Sequence, residues 1–256
     1  MKILSININS IRAHAESFIK VLTARAPDVV LVQETKVEDH AFPHVLFEHL
    51  GYNVKTFGQK SWNGVAVFSK ASIEDVVKGL SGHSDPAARM LECVIDGRIR
   101  IINVYMPNGE ATDSPKFPPK IEWMNHFTRH IEPLLHSEEP VIIGGDFNVA
   151  IEDRDVWNPT AYIGSSISAP AARDIMRKWL DAGWIDCYRK YHPTQEKPWT
   201  WIGYRGGSLG KDNGLRLDYF LANNAAEKLI KGCDIDMMPR TEDKPTDHCG
   251  LVLEIA

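Results

Sequence analysis

The chain has 256 residues, 43% hydrophobic and 25% charged, enough apolar material for one sizeable core and the balance of an ordinary globular protein. A net charge of −5 and a pI near 6.1 exclude bulk attraction to a polyanion, so a nucleic acid would have to be held by a local basic patch. Cys93, Cys187, Cys233 and Cys249 lack the short paired spacing of a zinc site or a disulfide framework, and no apolar run reaches membrane-spanning length.

Ser5, Asn7 and Asn9 break the first apolar stretch too early for a signal peptide, and the cysteine usage points to a reducing cytoplasm. Residues 2–8 alternate as a strand does, and 11–25 read as a helix with Phe18, Ile19, Val21 and Leu22 on its apolar side. Residues 29–32 form a second, buried strand that runs directly into Gln33 and Glu34. After a helical segment at 42–50, the pieces 52–57, 64–69, 75–80, 90–96 and 98–106 read as a meander of short strands. His40, His44 and His49 read as a histidine-rich helix face.

Pro, Gly, Asn, Asp and Ser crowd 107–119, the composition of a surface loop, and an amphipathic helix over 120–135 follows. His126 and His130 lie four apart on it, but Phe127 stands where a metalloprotease motif needs glutamate, so both read as helix-surface residues. The β-branched run 141–143 is a short buried strand, and Gly144 and Gly145 permit a bend or a close approach. If the chain stays extended past them, Asp146 and Asn148 point to one side while Phe147 turns away to pack.

Residues 152–168 have weak periodicity and read as a long loop, whereas 170–182 read as a helix bounded by Pro170 and Gly183. The stretch 199–213 is glycine-rich and aromatic, like an exposed binding loop. Strands at 217–221, 233–237 and 249–255 close the chain. Without a repeat or a composition break, residues 1–256 read as a single domain. The expected class is α/β (α+β), a four-layered sandwich of two packed mixed sheets flanked by helices.

Polar residues stand where apolar strands run out: Asn7, Glu34, Tyr105, Asp146 and the pair Asp247–His248, while Asp218 interrupts an apolar segment. Singly, each has an ordinary reading as a turn former, a solvated residue or a satisfied core group. Together, at one edge of a sandwich, they would gather acids, amides, a phenol and an imidazole in one cleft.

The segments SININS at 5–10, LVQETK at 31–36, NVYMPNG at 103–109, GGDFNV at 144–149, TWIGYRGG at 200–207, NGLRLDYFLA at 213–222 and KPTDHCGLV at 244–252 run in order along essentially the whole chain. On them the sequence resembles the exonuclease III family of abasic-site endonucleases, within the DNase I-like endonuclease/exonuclease/phosphatase superfamily. Ile202 and Gly203 depart from the bulkier or acidic residues common after the loop tryptophan, which bears on pocket shape.

The resemblance implies a Mg²⁺ ion, with Mn²⁺ possible, held by Glu34 with Asn7, Asp247, Asp146 and Asn148 as further metal residues. It implies that Asp146 orients and deprotonates water, that Asn148 positions it, and that His248, oriented by Asp218, donates to the phosphate beside Tyr105. Trp201, Tyr204, Arg205 and Arg216, with Trp199 and Lys211, are the expected DNA-binding residues, joined by Asn108, Lys116 and Lys120. The implied activity is hydrolysis of DNA 5′ to abasic sites, with 3′→5′ exonuclease and 3′-phosphatase or phosphodiesterase action. The implied partner is double-stranded DNA with abasic sites or damaged 3′ ends, met by a monomer in the cytoplasm at the nucleoid, without a membrane. Alternatives are a same-fold phosphohydrolase of RNA or a small phosphoester, and a degenerate nucleic-acid-binding regulator.

Overall fold

Two six-stranded mixed sheets are packed face to face in the computed structural model, which describes residues 1–83, 85–203 and 213–256. The first part of the chain supplies β1 (Lys2–Asn7), α1 (Ala15–Arg25), β2 (Val29–Gln33), α2 (His44–Glu48), β3 (Asn53–Phe57) and β4 (Val65–Ser69). The middle supplies β5 (Ile73–Lys78), β6 (Met90–Ile95), β7 (Ile99–Tyr105), α3 (Phe117–Leu135), β8 (Val141–Asp146), α4 (Pro170–Ala182), β9 (Ile185–Asp186) and α5 (Cys187–Tyr191). The last part supplies β10 (Trp201–Ile202), β11 (Gly214–Leu215), β12 (Asp218–Ala222), α6 (Asn224–Glu227), β13 (Ile230–Asp236), α7 (Met238–Thr241) and β14 (Gly250–Ile255).

One sheet runs β13-β14-β1-β2-β4-β3 and the other β5-β6-β7-β8-β12-β9. Each centres on a parallel pair whose strands are joined through a helix, β1 to β2 through α1 and β7 to β8 through α3. Alternate residues of the strands face each other across the gap, among them Ile3, Leu31, Val67, Ile101, Ile142, Phe220 and Leu253. The other parity packs outward, Leu4, Val30 and Phe68 against Phe18 and Leu22 of α1, and Ile102, Ile143 and Leu221 in the cluster containing Trp123 and Phe127 of α3. Helix, sheet, sheet and helix make the four expected layers. No helix among the described residues is long and apolar enough to cross a membrane.

Several boundaries differ from the sequence reading. Helix α3 starts at Phe117, so part of the expected 107–119 loop is helical; Pro118 and Pro119 fall in the first turn, where a missing N–H leaves no bond unmade. The stretch 152–168 contains two 3₁₀ turns, Asp153–Asp155 and Pro159–Tyr162, too short to leave a periodic signal. His40 sits in its own 3₁₀ turn and His49 just past α2, so with His44 they share no single helix face. His130 is corrected from a surface residue to a half-buried one, its Nε2 2.6 Å from Oε2 of buried Glu92 on β6.

The Gly144–Gly145 pair sits where neighbouring groups leave no room for a side chain. A Cβ on Gly144 would lie 2.5 Å from the Phe220 ring, and one on Gly145, whose φ is +144°, would lie 2.0 Å from the Val104 carbonyl oxygen of β7. Gly145→Ala is therefore expected to destabilise the fold by at least ~2 kcal/mol, read from the urea midpoint at unchanged slope. A midpoint within error of the parent would mean that β7 and β8 can separate freely here.

Candidate active site

Strand parity assembles the site. Tyr105 on β7 and Asp218 on β12 are both register partners of Asp146 on β8, and all three share the parity of the inter-sheet residues Ile101, Ile142 and Phe220. On the facing sheet Asn7 of β1 lies opposite Gln33 of β2, with the parity of Ile3 and Leu31. Apolar alternation thus carries the polar strand ends into the gap between the sheets. Below them Gln33 Nε2 donates to Asn103 Oδ1 at 2.7 Å, and Asn103 Nδ2 donates to the Ala66 and Val32 carbonyls at 2.8 and 3.0 Å. These buried amides tie the two sheets together beneath the cleft.

Beyond the strands the backbone bends sharply. Asn9, Ser10, Glu34, Lys36 and Asn148 all have positive φ, a conformation that costs a non-glycine residue about 1–3 kcal/mol. Glu34 is held in it because its carbonyl accepts from Ser10 N at 2.8 Å while Thr35 N donates to Gly64 O at 3.1 Å. Asn148 does not continue the strand and takes the turn-former alternative: β8 ends at Asp146, and Asn148, at φ 50°, turns so that its N–H reaches back to Asp146 Oδ1 at 2.9 Å. An Asx-type turn, rather than strand alternation, brings the two side chains together.

Asn7 Nδ2 bridges two carboxylates, donating to Glu34 Oε1 at 2.7 Å and Asp146 Oδ2 at 3.0 Å. His248, 4% exposed, places Nδ1 2.9 Å from Asp218 Oδ2 and Nε2 3.8 Å from Asp146 Oδ2. Burial opposes the charged imidazolium, but Asp218, with Asp146 and Asp247 adding to it, outweighs burial and raises the pKa. Nδ1–H is thereby committed to Asp218 and Nε2–H is directed into the cleft. Asp146, 2% exposed, has its carboxyl pKa raised by burial, with His248 pulling the other way. The Tyr105 phenol is pushed well up by burial and by the Glu34 and Asp146 carboxylates, so it stays a proton donor.

Asp247 completes the ring: its Oδ2 accepts from Trp201 Nε1 at 3.0 Å and its Oδ1 from Asn9 Nδ2 at 3.3 Å. Lys36 Nζ lies 2.8 Å from Glu34 Oε2 and also donates to Asn9. Glu34, Asp146, Asp218 and Asp247 bring four carboxylates together, with Lys36 and His248 paired to them directly and Arg89 and Lys120 acting on Glu34 and Asp146 as further cations. A cleft rich in hard oxygen donors fits a small hard divalent cation. Asn148 has its Oδ1 engaged by Asn108 Nδ2 at 3.0 Å, and its Nδ2 donates to Met106 O at 2.9 Å, which favours a positioning group over a metal ligand.

The expected DNA-contact residues divide. Trp201 is half-buried against Asp247, and β10 pairs with β11, Trp201 opposite Leu215, so this part of the expected open loop is a two-stranded ribbon seated on the site. Tyr204, Arg205 and Lys211 lie outside the described residues. Arg216 is corrected from a surface cation to a core one, 1% exposed, its Nη1 2.6 Å from Asp186 Oδ2 and its Nε 2.9 Å from Asp155 Oδ1. Two buried aspartates hold it inside. Lys120 is likewise buried, its Nζ donating to the carbonyls of Asn148, Asn108 and Ser166 at 2.7, 3.0 and 3.4 Å. Lys116 is exposed and paired with Glu110, and Asn108 is exposed at the cleft rim.

Sequence reasoning missed Asn9, Lys36, Thr246 and Arg89. The first three fall inside matching motifs, and Thr246 Oγ1 donates to the Asn7 carbonyl at 2.7 Å. Arg89 had no motif to mark it. Its guanidinium lies 5.5 Å from the centre of the Tyr105 ring, and its carbonyl accepts from Tyr105 N at 2.7 Å.

The sequence pattern of the Endonuclease/Exonuclease/phosphatase family matches residues 4–248. The chain is similar to exodeoxyribonuclease III of Haemophilus influenzae, 30% identical over 99% of each chain. It is also similar to an exodeoxyribonuclease of Bacillus subtilis, 28% identical over 100% of this chain and 99% of the relative. Among solved structures, an AP endonuclease from Archaeoglobus fulgidus superposes with a TM-score of 0.95 at 34% identity, over 100% of this chain and 99% of the other. The 3′ phosphatase NExo from Neisseria, bound to a product DNA hairpin, gives 0.95 at 31% identity over the same shares.

Proposed function

The chain belongs to the exonuclease III type of the endonuclease/exonuclease/phosphatase family, a nuclease that hydrolyses DNA phosphodiesters in repair, and from that premise we propose its specific activity and the residues that perform it. The activity is Mg²⁺-dependent cutting of duplex DNA 5′ to abasic sites, joined by 3′→5′ exonuclease and 3′-phosphatase action. The enzyme works as a single-domain monomer in the cytoplasm, on DNA with abasic sites or damaged 3′ ends.

One observation carries this reading: Asp146 Oδ2 and His248 Nε2 face each other at 3.8 Å, with Asn7 Nδ2 3.0 Å from the same carboxylate oxygen. Base and proton donor therefore flank a single spot in the cleft. Glu34, with Asp247 beside it, would hold Mg²⁺ or Mn²⁺, Asn7 assisting through its Nδ2–H bond to the Glu34 carboxylate, and such an ion would withdraw charge from a phosphate. Asp146 takes the proton of the attacking water, and the Asn148 turn fixes that carboxylate from behind. His248 Nε2–H and the Tyr105 hydroxyl donate to the phosphate as negative charge builds on it. Asp218 keeps the imidazole protonated and aimed.

Purified protein with Mg²⁺ and a duplex bearing one abasic analogue is expected to yield a single cut 5′ to the lesion, lost on chelation and restored by added Mg²⁺. Parallel arms with a recessed 3′ end, a 3′-phosphate, an RNA and an inositol polyphosphate rank the substrates. Turnover of the RNA or the inositol phosphate with the abasic duplex left intact would overturn the proposal.

A second test bears on Asp247. Trp201→Phe removes the Nε1–H bond to Asp247 Oδ2 while keeping an aromatic ring over the cleft. It is expected to raise the Mg²⁺ concentration needed for half-maximal cleavage by roughly 10-fold, within the 10–100-fold range for groups that orient a ligand. An unchanged Mg²⁺ requirement would separate Trp201 from the metal.

A further inference from the structure

Away from the cleft, His83 in the connection between β5 and β6 meets Glu122 and His126, one turn apart on α3, and the three offer ligand atoms all within 4.8 Å of one another. We infer that these side chains form a second metal site, for one borderline divalent transition ion of the Zn²⁺ class, which pins the β5–β6 connection to α3.

The His83 and His126 rings lie 4.4 Å apart between centroids, inclined by 35°. Among the described residues neither imidazole makes a hydrogen bond, and Glu122 makes no ion pair with either ring. Two half-buried imidazoles without partners, facing a carboxylate that stands off from both, are poorly explained as a surface network. They suit an ion placed between them. With bonds of about 2.0–2.1 Å, tetrahedral donors sit about 3.3 Å apart, a small closure from the observed spacing. The i, i+4 relation of Glu122 and His126 keeps two donors on one helix face, and His83 supplies the third from a distant segment.

The chemistry separates this site from the catalytic one. Two imidazoles and a carboxylate select a Zn²⁺-like ion, whereas the carboxylate-rich cleft favours Mg²⁺. An open groove lined by Phe117, Ile121, Glu122 and His126 borders the site and admits water as a further ligand. The consequence reaches the cleft, since downstream of His83 the same connection carries Arg89 onto the Tyr105 ring. A bound ion would tie His83 to α3 without taking part in hydrolysis.

The test is a calorimetric titration of Zn²⁺ into tag-free protein held in excess Mg²⁺, which competes for the carboxylate-rich cleft. One equivalent is expected to bind. His83→Ala and His126→Ala should each weaken it by roughly tenfold or more. His136→Ala, at the exposed C-terminal end of α3, should leave it unchanged. Far-ultraviolet circular dichroism and a metal-free melting curve establish that each variant is folded. Zn²⁺ affinity unaltered in the folded His83→Ala/His126→Ala double variant, or no binding by the parent protein, would overturn the inference.

Discussion

Asp146→Asn is expected to slow cleavage at an abasic site by roughly 10²–10⁴ while leaving the protein at least as stable as the parent. The rate falls because an amide has nearly the shape of a carboxylate but cannot accept a proton from water. The stability holds because Asp146, 2% exposed, is a carboxylate whose ionisation burial disfavours, and a neutral side chain lifts that penalty. Its Oδ1 bond from Asn148 N survives in an amide oriented with its oxygen that way. The bond from Asn7 Nδ2 to Oδ2 is the one given up, worth about 1 kcal/mol. Single-turnover kinetics at saturating enzyme, run beside a melting curve, separates the two effects. An undiminished rate would remove Asp146 from the role of base, and a rate lost together with the fold would make it a structural residue.

The sheets and the strand ends were legible because their signals are local. Alternation in 2–8, 98–106 and 217–221 sets which side chains face the opposite sheet, and a polar residue at the end of such a run falls into the gap by parity alone. Asn7, Tyr105, Asp146 and Asp218 are brought together in this way. Glu34 and Asn148 are not, since their placement depends on positive φ angles fixed by a bond from Ser10 N and by bonds accepted by Gly64 O and Asp146 Oδ1, in other segments or in a turn that no periodicity announces.

Cations were harder to place than acids, because long side chains give no parity signal of their own partners. Lys120 reads as the polar start of a helix, yet three carbonyls from separate loops draw it inside. Arg89 depends on Tyr105 sixteen residues away, a contact made only once β6 and β7 have paired. His130 reads as a helix-surface residue because Glu92, its partner, lies on a strand whose register the helix sequence cannot reveal.

Arg216 is where that failure has the largest energetic consequence. Arg216→Leu is expected to cost ~3–5 kcal/mol, because it leaves buried carboxylates without their counter-charge. Arg216 makes its two bonds to Asp155 and one to Asp186 at 1% exposure, and its guanidinium also lies 4.4 Å from the centre of the Tyr219 ring. Asp155 keeps a partner in Arg189 at 2.6 Å, but among the described residues Asp186 retains only its helix-capping bond from Arg189 N at 3.1 Å. The damage should spread toward the site, since Arg216 leads directly into Asp218, and Tyr219 Oη donates to the Val149 carbonyl at 2.8 Å. Adding Asp186→Asn to Arg216→Leu should recover part of the loss, because the stranded charge rather than the missing contact dominates it. A phosphate contact behaves oppositely: removing one leaves stability untouched and lowers the salt slope of DNA binding by about 1. Urea unfolding and a salt series on the same variant therefore discriminate, and a stable Arg216→Leu protein with a reduced salt slope would return this arginine to the DNA surface.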